Sequence, residues 1–280
     1  MSMDKNSNSF SATVIIAFYN KVRFLELVLA GLSRQSIKNF EVIIADDGSK
    51  EENVAAIKKI FPKFSFPIKH LWHEDNGFRK NIMLNKCILE AQSNVLIFVD
   101  GDCIPHKNFV EEHLQSTKVG FCSTGRRVNL SHRISEILTP ELVAAGYLES
   151  IPTNISMFMD AFKGDGNHSG QGIYFQNSLL RKIINQKTRG VLGSNFSATK
   201  TDLLAINGFD ERYVHPSVGE DTDIEYRLHL HGVKTLPLIN VAVQYHMFHK
   251  ELPREKVNFE LFEETKRRGT AKTPFGIKKL

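Results

Sequence analysis

The chain has 280 residues, of which 41% are hydrophobic and 24% charged, with a formal net charge of +5. That length suits about two domains of ~150 residues or one large α/β unit. The composition excludes a disordered chain, a collagen or a coiled coil as the main architecture, and no apolar run approaches the ~18–20 residues of a membrane span.

Met1 to Ser11 is polar and lacks the apolar core of a signal peptide, so it reads as a flexible leader into a cytoplasmic protein. Thr13-Val-Ile-Ile-Ala-Phe18 is apolar and β-branched, which predicts a buried strand. Val22 to Ser36 follows with apolar residues at 24, 25, 28, 29 and 32, a helical period. Glu41 to Ala45 is a second strand, ending in Asp46-Asp47-Gly48-Ser49, and Asn53 to Ile60 is a short helix. Ile68 to Trp72, Arg79 to Ala91 and Val95 to Val99 continue as strand, helix and strand. This alternation predicts a mostly parallel sheet with helices on both faces, whose ligands sit beyond the carboxyl ends of the strands. The polar clusters lie at those ends: Tyr19-Asn20, Asp46 to Ser49, and Asp100-Gly101-Asp102.

Val128 to Arg189 contains a turn-rich stretch, Lys163 to Gly172, and pieces such as Ser135 to Ser150 with helical character. A segment of this kind is either a functional lid or disordered. A second ordered block starts at Gly193. Thr201 to Ile206 predicts a helix ending at Asn207-Gly208, and Asp221 to His231 one ending at Gly232. Lys234 to Tyr245 holds two strand-like pieces around Pro237. From Lys250 to Leu280 the sequence has nine Lys/Arg against five Asp/Glu. Such a basic tail suits a membrane surface, an anionic substrate or a solvated end. Its Lys266-Arg267-Arg268 cluster is too short to argue for nucleic acid. Cys87, Cys103 and Cys122 are widely spaced and form no CxxC, which argues against a thiolate zinc site and fits a reduced compartment.

Four clusters could carry chemistry. Asp100 and Asp102, with Gly101 allowing a sharp turn, could hold a hard divalent cation facing a diphosphate; the plainer reading is a strand-terminal turn with solvated carboxylates. Asp46 and Asp47 could accept hydrogen bonds from a base or ribose, or form an Asx turn that caps the next helix. Glu220 and Asp221 sit where a helix starts, as capping acids or as a general base for an acceptor hydroxyl. His246 and His249 follow a strand-like run, and a His there could complete an Asp-based metal site.

Taken in order, these pieces resemble family 2 inverting glycosyltransferases of the GT-A fold, with a second half like the galactosyltransferase-type region of bacterial polysaccharide synthases. The resemblance rests on Val14 to Asn20, Phe40 to Ser49, Asp75-Asn-Gly-Phe-Arg-Lys80 with Leu84-Asn-Lys86, and Phe98-Val-Asp-Gly-Asp102. It continues through Gly193-Ser-Asn-Phe-Ser197, Asn207-Gly-Phe-Asp-Glu211 and Gly219-Glu-Asp-Thr-Asp223. It implies that Ala17, Tyr19 and Asp47, with Asp46 close by, hold uracil and ribose. Arg79, Asn85, Gly193 and Asn195 would border the nucleotide sugar. Asp102, Asp100 and His246, with His249 as the substitute, would hold Mn2+ or Mg2+. Asp221 would be the base and Glu220 its neighbour in binding sugar or acceptor.

The division implied is a nucleotide-sugar half over 12–125, a variable lid or acceptor-side insertion over 126–192, a catalytic half over 193–249 and the basic tail over 250–280. The partners implied are a UDP-sugar donor, a glycan or lipid-linked acceptor, and a membrane surface met through the tail. Two positions depart from the pattern. Pro216-Ser-Val-Gly-Glu-Asp221 stands where relatives carry Trp-Gly-Gly-Glu-Asp, and Leu84 stands where many carry Arg. Both bear on the donor sugar more than on the reaction. A nucleotidyltransferase would carry a glycine-rich loop where Phe18-Tyr19-Asn20-Lys21 stands, and a silent nucleotide-sugar-binding protein would most simply lose Asp102 or Glu220-Asp221.

Overall fold

The structure, a computed structural model, describes residues 10–215, 220–250 and 257–279. Most of the leader thus lies outside the described residues. The first half alternates as expected: β1 (Ala12–Phe18), α1 (Val22–Ser33), β2 (Phe40–Asp46), α2 (Glu51–Ile60), β3 (Ile68–Trp72), α3 (Lys80–Glu90) and β4 (Val95–Asp100). Helix α1 stops three residues short of the expected Ser36. There the Ser36 N–H leaves the helix to bond Lys107 O, and the Gln35 amide bridges Gly31 O and His106 O.

The chain continues through β5 (Cys103–Pro105), α4 (Phe109–Ser116), β6 (Phe121–Thr124), β7 (Arg126–Asn129), α5 (His132–Ile137), α6 (Pro140–Ala144), α7 (Ile151–Phe162) and α8 (Ser178–Ile184). The last part is β8 (Asn195–Thr199), α9 (Lys200–Ala205), α10 (Glu220–Leu230), β9 (Lys234–Pro237), β10 (Val243–His246) and α11 (Val257–Arg268). Much of the segment expected as lid or disorder is therefore helical. The tail carries a helix too: Arg212 pairs with Glu264, and Phe262 packs edge-on to Tyr226.

Seven strands form one sheet in the order β3-β2-β1-β4-β8-β6-β9. β8 runs antiparallel to both β4 and β6, and the remaining neighbours are parallel. A second, three-stranded sheet, β5-β10-β7, pairs His246 of β10 with Cys103 and so brings β10 beside the Asp100–Asp102 turn. The alternation of side chains along a strand feeds two cores. Val14, Ile16 and Phe18 pack with Leu25 and Val28 of α1 and Ile57 of α2. Ile15 packs on the other face with Met83 of α3, Leu203 of α9 and Ile224 of α10. Both faces being covered explains why β1, β2 and β4 read as unbroken apolar runs.

Strand β8 is held differently. Its buried Asn195 and Ser197 flank the imidazole of His113, with Nδ1 2.7 Å from Ser197 Oγ and Nε2 3.0 Å from Asn195 Oδ1. Burial pushes His113 down to about 4. The unfolded chain takes up this proton near pH 6.5, whereas the fold resists until about 4. Stability should therefore fall as pH drops through that window, by at most about 1.4 kcal/mol per pH unit for this group. Urea unfolding at pH 7 and pH 5 checks this. His113→Asn should be less stable at pH 7 but show a shallower loss on acidification; an unchanged slope would contradict the assignment.

Candidate active site

The carboxyl ends of β1, β2 and β4 open into a cavity of about 530 Å3. Gly101 shapes its floor: its N–H donates to Ala17 O at 2.8 Å, and a Cβ there would stand 2.9 Å from that same oxygen. The turn thus presents Asp100 and Asp102 in different directions. Asp100 faces Lys80 Nζ at 3.1 Å and Arg127 at 3.9 Å. Asp102 faces His249 Nε2 at 3.1 Å, His246 Nε2 at 3.6 Å and Lys21 Nζ at 3.6 Å.

The two histidines bring their Nε2 atoms within 3.1 Å of each other. Two imidazole nitrogens and a carboxylate meeting at one point form a donor set suited to manganese or magnesium, the nitrogens favouring manganese. Burial alone would raise the Asp102 carboxyl, but the His249 hydrogen bond and the nearby charges of His246 and Lys21 hold it well below the usual carboxylate range. Burial pushes His246 down to about 4, which leaves its lone pair free near neutral pH. Bonding to Asp102 pushes His249 up. Cys103 also borders Asp102 and His246. Its thiol is pushed well up by burial, and it donates to Asp102 Oδ1 at 3.4 Å, so it acts as a hydrogen-bond donor rather than a thiolate ligand.

Across the cavity, α10 begins with Glu220 and Asp221. The Asp221 Oδ2 accepts the Gly193 N–H at 2.7 Å. A Cβ on Gly193 would stand 2.3 Å from Asp221 Oδ1, so only glycine lets this carboxylate seat. Glu220 Oε1 lies 3.4 Å from Lys80 Nζ, and its Oε2 is buried without a partner among the described residues. Burial pushes Glu220 up to about 7, with the charges of Asp221 and Asp100 adding to the rise and Lys80 opposing it. Burial likewise raises Asp221, opposed by Lys80 and the Gly193 N–H.

The adjacent acids of β2 part company. Asp46 is fully buried, accepts the Ser49 N–H at 2.9 Å and lies 2.8 Å from His70 Nε2, so it braces the turn after β2; it does not cap α2, which starts at Glu51 without a side-chain cap. Asp47 reaches the cavity and holds the Arg79 N–H at 2.8 Å and His73 at 2.9 Å. Tyr19 stands at the rim, its hydroxyl donating to Asp75 at 2.9 Å.

Of the residues singled out from sequence, Ala17, Tyr19, Asp47, Asp100, Asp102, Gly193, Glu220, Asp221 and His249 line the cavity. His246 backs Asp102 from β10. Four lie elsewhere, the buried Asp46 at the turn after β2 among them. Asn85 is buried on α3 and clasps Phe209 through both its backbone groups, while Asn195 is buried against His113, Arg126 O and Ala242 O. Both are scaffold polar groups, not cavity walls, because their amides are consumed by backbone partners. The Arg79 side chain turns back to Phe78 O, leaving only its backbone N–H to serve Asp47. The altered run at 216–219 lies outside the described residues. Ser194, within the expected Gly193–Asn195 loop, joins the wall, as do Lys80 and Arg127, which were not singled out. Lys80 ends the Asp75–Lys80 stretch and was legible there; Arg127, from the polar strand β7, gave no signal.

The α/β sheet with its cavity at the strand ends is a GT-A fold. S. aureus TarS residues 1–349 in complex with UDP superposes with a TM-score of 0.57 at 15% identity, over 92% of this chain and 64% of that one. GalNAc-T7 with UDP, GalNAc and Mn2+ superposes with a TM-score of 0.59 at 13% identity, over 92% of this chain and 48% of that one. Likenesses at such identity speak for the fold alone. The model for glycosyl transferase family 2 matches residues 13–181, more than half of the sequence, and the chain belongs to that family. It is 28% identical over 228 residues to the chondroitin synthase of Escherichia coli, covering 79% of this chain and 32% of that protein. It is 27% identical over 232 residues to the hyaluronan synthase of Pasteurella multocida, covering 79% of this chain and 23% of that protein. The chain thus spans a third or less of either synthase.

Gly193→Ala tests the seat of Asp221. The added methyl should push the carboxylate off its N–H and lower turnover at least about tenfold, since an ångström of misplacement can cost on the order of a hundredfold. Thermal unfolding should move little. Wild-type turnover in this variant would show that the contact is incidental.

Proposed function

We propose that the chain moves a hexose, Gal, GalNAc, Glc or GlcNAc, from a UDP-sugar to a hydroxyl of a glycan or lipid-linked acceptor in cell-surface polysaccharide synthesis, on the cytoplasmic side of a membrane. The observation that carries this reading is the convergence on one cavity of an Asp-x-Asp turn backed by two histidines and an acid pair at the start of α10. The UDP in the TarS structure and the sugar-polymer synthases among the relatives support the donor and acceptor classes.

Asp47 and Tyr19 would face the base and ribose, with Asp75 fixing the Tyr19 hydroxyl. Asp102, His246 and His249 would hold a divalent cation, Mn2+ or Mg2+. When bound, that ion supplies positive charge beside the diphosphate leaving group. Asp100 is turned to Lys80 and Arg127, and would reach the ion through water or bind ribose instead. Lys80 and Arg127 add fixed positive charge to a wall that otherwise gathers carboxylates.

The transfer is a single displacement. The acceptor oxygen forms a bond to the anomeric carbon as the bond from that carbon to the diphosphate oxygen breaks. The acceptor proton passes to Asp221, UDP leaves with the bonding electron pair, and the anomeric configuration inverts. Asp221 is suited to this because its Oδ2 is anchored on the Gly193 N–H while Oδ1 remains for the acceptor. Glu220 is the rival base. Its raised affinity for a proton and its Oε2, unpartnered among the described residues, favour that second reading.

Release of UDP from a panel of UDP-sugars, with manganese and then with EDTA, tests the proposal. One donor should be hydrolysed in manganese and none in EDTA. With that donor and an acceptor, Asp221→Asn should lose transfer by on the order of a hundredfold or more while UDP binding persists, and Glu220→Gln should lose less. The reverse ranking would move the base to Glu220. Metal-independent turnover would contradict the proposed metal site.

A further inference from the structure

Helix α7 is inside out. Its buried positions are Thr153, Met157 and Asp160, one face at helical spacing. Asp160 is tied down there by Ser131 at 2.6 Å and Arg133 at 2.8 Å. The outward face carries Ile151, Ile155, Phe158 and Phe162, which repeat at i, i+4, i+7 and i+11. Ile151 is 77% exposed and Phe162 93% exposed, so none of the described residues covers the ends of this stripe. Helix α8 repeats the pattern in shorter form, with Leu179, Leu180 and Ile183 all exposed. Scattered exposed leucines need no explanation, but a stripe of isoleucine and phenylalanine along one helix marks an interaction surface.

Charge identifies the partner. No Asp or Glu occurs between Asp165 and Asp202. Over that stretch Lys182, Lys187 and Arg189 are exposed, and Lys163 stands exposed at the end of α7. Apolar helix faces fringed by cations without acids match an anionic bilayer, where the apolar side chains enter the acyl boundary and the cations meet the headgroups. The C-terminal tail fits this role less well. Its Lys266 and Arg268 pair with Glu263 and Glu264 of α11 itself, and its Lys279 pairs with Glu211.

We infer that the exposed apolar stripes of α7 and α8, with the cations of the stretch from Lys182 to Arg189, dock to an anionic phospholipid membrane. The chain runs directly from this face into Leu192, Gly193 and Ser194 of the cavity wall. A membrane-borne acceptor would then arrive on the side of the cavity where Asp221 is seated.

Flotation of the full chain with vesicles tests this without any sugar donor, so its outcome is separate from the transfer reading. Vesicles of phosphatidylcholine and phosphatidylglycerol in equal parts should carry the protein; vesicles of phosphatidylcholine alone should carry little of it. Phe158→Ser with Phe162→Ser should weaken binding at least about tenfold, as should Lys182→Glu with Lys187→Glu. Both pairs are exposed, so circular dichroism and UDP-sugar hydrolysis in free solution should match wild type. The inference is overturned if wild type fails to bind anionic vesicles, or if the phenylalanine pair binds as wild type does. A dimer in sedimentation that the phenylalanine pair converts to monomer would also overturn it, by assigning the face to a second copy.

Discussion

The site depends on a largely buried ammonium. Lys80 Nζ sits between Asp100 at the end of β4 and Glu220 at the start of α10, with the charge of Asp221 also acting on it. Burial would strip Lys80 of its proton, but these three carboxylates hold its pKa well above the ordinary value. The dependence is mutual. Without a cation, acids crowded into one cavity would share protons and lose the charge that their chemistry needs. One lysine from the first half of the chain thus lets the second half bring its acid pair up to the strand ends.

The same economy governs the polar interior. Asn85 ties α3 to the turn at Phe209, and Arg227 of α10, fully buried, pairs with Asp223 and bonds Ile206 O and Gly208 O. Asn207 in turn holds Thr273 and Lys278 of the C-terminal segment. The Asn207–Glu211 stretch is therefore a clamp, gathering α3, α9, α10 and the chain's end. It explains how α10 arrives at the cavity with a fixed register while keeping its first residues free for chemistry.

The parts legible in the sequence were those with ordinary hydrophobic logic. Strands β1, β2 and β4 are covered on both faces and read as apolar runs, and Asn207-Gly208 and Gly232 marked helix ends with positive φ. Strand β8 was faint because only Phe196 and Ala198 of its five residues are apolar, while Asn195, Ser197 and Thr199 are buried polar residues satisfied by His113, Thr117 and Asp202. The apolar stripe of α7 is at helical spacing and was legible as a helix; that the stripe faces outward was not. Helix α11 was obscured by its charges. Motif order pointed to most of the cavity wall, yet it could not separate Asp46 from Asp47, or Asn85 and Asn195 from the wall itself. Those distinctions come from strand pairing and from which side chains the backbone claims first.

The most direct measurement is a calorimetric titration of UDP into the intact chain, once with manganese and once with EDTA. UDP should bind much more tightly with manganese, and Asp102→Ala should bring the manganese value down to that in EDTA. Equal affinity in both buffers, or an Asp102→Ala variant that keeps the manganese-dependent gain, would contradict a metal-assisted nucleotide site between Asp102 and the two histidines.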